Sequence, residues 1–148
     1  MATANILTQA FPDFTAQPFF PGMQVGTAQA IVAAVVLSPL QSGMLCTVSK
    51  AAAYAITVPA PSAGNVGLSY RFVSLAVGVG VVTISAGVAA SIVGTIINNT
   101  PNAIPCNGQT ISMLAAGVLG DSVEVLYVSA TLIHARCVTS NAAGITVA

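Results

Sequence analysis

Charged side chains are almost missing from this sequence, and tryptophan is missing altogether. Three acidic and three basic residues (Asp13, Lys50, Arg71, Asp121, Glu124 and Arg136) make up 4% of the 148-residue chain. An ordinary soluble domain carries about 25%. Three carboxylates do not supply a convincing metal cluster or a two-acid glycosidase site. Three basic residues far apart leave no electrostatic footprint for nucleic acid. The one histidine, His134, lies in a strand-like run; its candidate catalytic partners are Asp121, Glu124 and Cys137, and the spacing singles out none of them. A structural role on a strand face is the expectation for it. Gly78-Val-Gly80 precedes a strand rather than a helix, so it is not a nucleotide-binding loop. No catalytic residue, cofactor or metal site is expected, and the chain reads as non-enzymatic.

Cysteine is scarce as well. Cys46, Cys106 and Cys137 are odd in number and widely spaced, unlike a disulfide framework or a zinc site. They read as three small buried thiols. The N-terminus, MATANILTQAFPDF, shows no basic region followed by an apolar core, so no secretory signal is expected.

What is abundant is apolar surface: 55% of residues are hydrophobic and the formal net charge is zero. A lone monomer of this composition has little electrostatic protection against association. Either a membrane or other protein subunits must cover it. Phe72 to Ile97 is free of charge and long enough to span a bilayer. Its details argue against a helix. Gly78, Gly80, Gly87 and Gly94 interrupt it, and Leu75, Val77, Val79 and Val81 alternate with smaller residues at a period of two. Flanking Lys/Arg clusters and an aromatic belt are lacking. No membrane span is expected, which leaves packing against other subunits.

The stretch from Ser42 to Phe72 shows the pattern most clearly. A strand at Met44–Val48 leads to a charged turn at Lys50. In the next strand Tyr54, Ile56 and Val58 share one face and Ala55 and Thr57 the other. Pro59 to Gly64 stops it, and a third strand places Leu68, Tyr70 and Phe72 on one face. Short strands separated by Pro/Gly/Ser turns predict an antiparallel sandwich or barrel. Further strands are expected at about 70–77, 80–85, 91–97, 109–115, 123–128, 131–139 and 145–147. In the third from last of these, Val123, Val125 and Tyr127 alternate with Glu124, Leu126 and Val128. Asp121, in a Gly-Asp-Ser turn, is expected to accept backbone N–H groups two residues on. Glu124, Lys50, Arg71 and Arg136 are expected to make one or two ion pairs. No repeat of 20–50 residues is visible, which argues against a solenoid.

Residues 1–36 differ in character and read as an N-terminal arm and lead-in, followed by a single β-sandwich domain over 37–148. Four of the five phenylalanines, Phe11, Phe14, Phe19 and Phe20, lie among Pro12, Pro18 and Pro21. The prolines forbid a continuous helix and disfavour a central strand. An extended arm with aromatic interface anchors is the natural reading. It either folds back on its own sandwich or lies on a neighbour. Thr27 to Leu37 fits a short helix or a strand, and the β pattern that follows favours a strand.

Ser42-Gly43, Tyr54-Ala-Ile-Thr-Val-Pro-Ala-Pro61, Ala63-Gly64, Leu68-Ser-Tyr-Arg-Phe72, Val82-Thr-Ile84, Gly120-Asp121-Ser-Val-Glu124 and Gly144-Ile-Thr-Val147 follow one another in a suggestive order. The order, over about residues 42–148, resembles that of small all-β virion structural proteins of tailed phages and large DNA viruses. The family pattern usually places a tryptophan in the strand after the Gly-Asp turn; Ile133 stands there. The resemblance implies a jelly-roll-like fold and a capsid decoration, minor capsid or fibre subunit in the virion. It implies a homotrimer that stabilises the shell through contacts with copies of itself and the major capsid protein or another virion protein. A fibre or receptor-binding module is one alternative. A secreted appendage subunit polymerising by strand exchange is another.

Overall fold

The structure is a computed structural model and describes residues 28–89, 91–100 and 102–148. Among the described residues twelve strands form two sheets: β1 (Gln29–Ile31), β2 (Val35–Val36), β3 (Leu45–Val48), β4 (Tyr54–Thr57), β5 (Ser69–Ser74), β6 (Val82–Ser85), β7 (Ile92–Ile97), β8 (Ile104–Gly108), β9 (Thr110–Met113), β10 (Ser122–Tyr127), β11 (Ile133–Val138) and β12 (Ile145–Val147). The larger sheet has the order β1-β3-β5-β10-β11-β7-β8 and the smaller β12-β9-β6-β4-β2. The all-β sandwich read from the sequence is what the chain forms. Thr27–Leu37 contributes two short strands to it, so residues 29–36, grouped with the arm on sequence, pair into both sheets.

The ladders are mixed rather than antiparallel throughout. From β1 to β6 the chain crosses from one sheet to the other after every strand. Each strand therefore returns beside its predecessor running the same way. β1, β3 and β5 are parallel neighbours, as are β2, β4 and β6, and β7 runs parallel to β11. The remaining ladders are antiparallel. A jelly roll built of antiparallel pairs has a different order. The first six strands wind like coils of a solenoid, but of unequal length: Gln29 pairs with Cys46 and Leu45 with Arg71, Val35 with Ile56 and Tyr54 with Val82. Unequal coils leave no period in the sequence.

Alternation sorts each strand into an inner and an outer face. One inward row crosses five strands in register, Cys46–Phe72–Val123–Cys137–Ile96, and every member is buried. Ile56, Val82, Ile84, Ile111, Met113 and Ile145 face it from the smaller sheet. Tyr70 and Tyr127 meet edge to face, with centroids 6.2 Å apart. Their hydroxyls donate to the carbonyls of Ser38 and Pro59, which satisfies the one polar atom each ring brings into the core. The Tyr54 hydroxyl lies 2.7 Å from the carbonyls of both Ile31 and Ser49. Outside, the smaller sheet shows a neutral row of Ala55, Thr83, Ser112 and Thr146.

Two local expectations are corrected. Leu75 to Val81 alternates as predicted but is a loop between β5 and β6. Its Gly78 and Gly80 lie against the backbone of Lys50 and Ala52, where any Cβ would overlap a carbonyl, so Leu75, Val77 and Val79 point outward. β8, unpredicted, contains Pro105; it is the edge of the larger sheet, where a residue without an N–H is tolerated. Phe72–Ile97 holds the second half of β5, then β6 and β7. Among the described residues no helix is long and apolar enough to cross a membrane.

Candidate binding groove

Five of the six charged residues are described, and the fold divides them into two groups. Lys50 and Asp121 are buried. The sequence placed Lys50 in a charged turn; its side chain runs inward instead. Its Nζ donates to the carbonyls of Leu114 at 3.1 Å and Gly117 at 2.7 Å. Burial pushes its pKa down, and the nearby Asp121 charge partly offsets this. Asp121 was expected to bond two residues onward. Its Oδ2 in fact accepts from Val118 N–H at 2.9 Å and the Thr139 hydroxyl at 3.0 Å, and its Oδ1 from Ser140 N–H at 3.2 Å. The two side chains thus tie the β3–β4, β9–β10 and β11–β12 connections together at one end of the sandwich. This cluster is a closed structural knot with its polar atoms satisfied.

The other group lies outside. Glu124 on β10 sits in register between Arg71 on β5 and Arg136 on β11. Arg71 Nε is 3.3 Å from Glu124 Oε1 and Arg136 Nη1 is 3.6 Å from Oε2. All three side chains are roughly half exposed, so each pair contributes only about 0–1 kcal/mol to stability. The expectation of one or two ion pairs holds for these residues, while Lys50 bonds to carbonyls. The basic residues, far apart in sequence, are not far apart here: two of the three flank a single carboxylate.

His134 stands on the same outer face, opposite Leu126. Together these residues border a groove of about 400 Å³. Arg71, Glu124, Arg136 and His134 are its charged and titratable lining, and Met44, Tyr70, Val125 and Leu126 are apolar lining. Each guanidinium carries five N–H donors and directs one nitrogen at Glu124. Further donors remain on both, and two arginines against one glutamate leave a formal excess of one positive charge. The groove is chemically suited to a carboxylate flanked by apolar groups.

Of the partners considered for His134, Cys137 points to the core while His134 points out, and Asp121 belongs to the buried knot. Only Glu124 shares its face. Cys46 and Cys137 are buried and Cys106 half-buried, and all three are free. Burial raises each thiol pKa, that of Cys137 to about 12, which disfavours the reactive thiolate. Among the described residues no group of three His, Cys, Asp or Glu side chains could hold a metal ion. The anchors Phe11, Phe14, Phe19 and Phe20 lie outside the described residues.

Sequence reasoning missed the groove. The parity of β5, β10 and β11 already put Arg71, Glu124 and Arg136 on outward positions, but parity does not say which strands are neighbours. No family model matches the chain, and no curated protein or solved structure matches it either.

Proposed function

We propose that the protein is a non-enzymatic structural subunit that works by burying its surface against other subunits, as a capsid decoration or minor capsid protein of a virion does. The observation that carries this reading is the described surface. Val32, Val36, Leu40, Val77 and Val79 are each at least 69% exposed, and Arg71, Glu124 and Arg136 are the only charged residues there. Apolar side chains with so little charge between them favour association. At about 25 cal/mol per Å², modest contacts repeated over a shell add up. The partners are copies of itself, a homotrimer by the family resemblance, and the major capsid protein or another virion protein. Sedimentation and light scattering at micromolar concentration test the assembly: the reading expects a multimer, and a stable soluble monomer overturns it. Electron microscopy of a native particle tests the location.

The groove favours a second reading, a fibre or receptor-binding module. A chain whose groove holds a host-surface ligand, and whose loss leaves particles intact but unable to attach, supports this reading over a shell role.

A further inference from the structure

The few charges of this chain can be accounted for one by one. Lys50 and Asp121 belong to the buried knot. Glu124 lies between Arg71 and Arg136, which leaves one positive charge in excess on the outer face of the larger sheet. The formal net charge of the whole chain is zero, and the remaining charged residue is Asp13. Its neighbours in sequence are Phe11, Pro12 and Phe14. A carboxylate between two aromatic residues is the complement of a groove lined by two guanidinium groups together with the apolar Met44 and Leu126.

We propose that the groove over β5, β10 and β11 receives the Phe11–Phe14 segment of a second copy of this chain, with the Asp13 carboxylate on the Arg71 and Arg136 guanidinium groups. The proposal rests on the assembly reading above and gives it a contact. Carboxylate–guanidinium hydrogen bonds are charge-assisted and directional. At a half-exposed rim they fix register and partner more than affinity. The affinity comes from the phenylalanine rings, which bury large apolar area with few rotatable bonds. Leu45, 40% exposed and in register with Arg71 on the neighbouring strand, adds apolar surface beside the groove. Each copy has one such segment and one groove. The contact is therefore heterologous and generates a closed ring when its rotation closes, which suits a trimer.

A chain of this length between Asp13 and β1 reaches its own groove as well, since a residue spans up to about 3.3–3.6 Å and adjacent strands lie about 4.8 Å apart. The test therefore separates the two. Full-length chain carrying p-benzoylphenylalanine in place of Phe14, half of it ¹⁵N-labelled and mixed before assembly, is irradiated and the cross-linked peptides are identified by mass. The expected result is linkage from position 14 to peptides containing Met44, Arg71 or Leu126, with mixed heavy–light pairs making up about half of the links. Links confined to heavy–heavy and light–light pairs overturn docking in trans, and links elsewhere overturn the groove.

Charge reversal gives an independent readout by sedimentation. Asp13→Lys, and separately Arg71→Glu, weaken association at least tenfold, and the two together restore part of it. Asp13→Lys changes no residue of the described strands, so it remains informative if Arg71→Glu fails to fold. A wild-type multimer indifferent to Asp13→Lys overturns the groove contact and leaves the assembly reading standing. A wild-type monomer overturns both.

Discussion

The Lys50 ammonium donates a 2.7 Å hydrogen bond to the carbonyl of Gly117, 67 residues further along the chain. The residue that accepts has no side chain for a reason. A Cβ on Gly117 would lie 2.6 Å from Asp121 Oδ2 and 2.9 Å from Lys50 Nζ. Gly117→Ala therefore forces the carboxylate and the ammonium out of their places. The expected cost is about 2 kcal/mol or more, the range for disturbing a buried polar network. Lys50→Met, which keeps the length but leaves the Gly117 carbonyl without its ammonium donor and the Leu114 carbonyl with the Gly117 N–H alone, costs a comparable amount. Denaturant unfolding of both variants checks this. Variants as stable as the wild type would show that the knot is dispensable.

The core row makes a contrasting pair of predictions. Phe72 is buried between Cys46 and Val123, and Phe72→Ala costs about 3–5 kcal/mol through lost burial and the cavity left behind. Its neighbour Arg71 faces outward in a half-exposed pair, so Arg71→Ala costs no more than about 1 kcal/mol. Unfolding midpoints measured at one protein concentration distinguish the two.

These adjacent residues also mark how far the sequence could be read. Alternation alone put Tyr70 and Phe72 inside and Arg71 outside, because a pleated strand has a period of two whatever it pairs with. The same parity correctly sorted Tyr54 from Ala55 and Val123 from Glu124. It could not show that Arg71 and Arg136 share Glu124, since neighbours in a sheet are set by how the chain crosses between layers. Those crossings made parallel ladders with coils of unequal length, so no repeat announced them. Lys50 was illegible for another reason: its acceptors are backbone carbonyls far along the chain, and a carbonyl has no signature in sequence. β8 went unpredicted, and its Pro105, which has no N–H for a ladder, is tolerated because the strand lies at the sheet edge.

High pH should destabilise the fold. Burial raises the pKa of the three cysteines from 9.0, Cys137 to about 12, and of the three tyrosines from 10.0, Tyr70 to about 12. A group whose pKa is raised in the folded state holds its proton there while the unfolded chain loses it. Stability is then full below the unfolded value and falls as pH rises through the folded one. Lys50, lowered by burial, acts the other way: its penalty eases as pH climbs toward 10.5. Six groups oppose one, so stability declines from about pH 9 toward pH 12, each group adding up to about 1.4 kcal/mol per pH unit within its own window. Urea midpoints that stay level from pH 8 to 11 would contradict this.

The final prediction concerns residues 1–27. The buried cluster of the sandwich runs from Ile31 to Ile145 and closes over two sheets within the described residues. The phenylalanines at 11, 14, 19 and 20 sit on a proline-rich stretch unsuited to a central strand. If their role is contact with another subunit, removing them takes away association and leaves the fold. Deletion of residues 1–27 should change the unfolding free energy by less than about 1 kcal/mol, the size of a surface effect. The same deletion should shift the sedimentation of the protein to the monomer at concentrations where the full chain is multimeric. Circular dichroism should keep its β spectrum. A truncated chain that unfolds or precipitates before any partner is added would mean that these rings complete the core of their own sandwich, and that the attachment role is wrong.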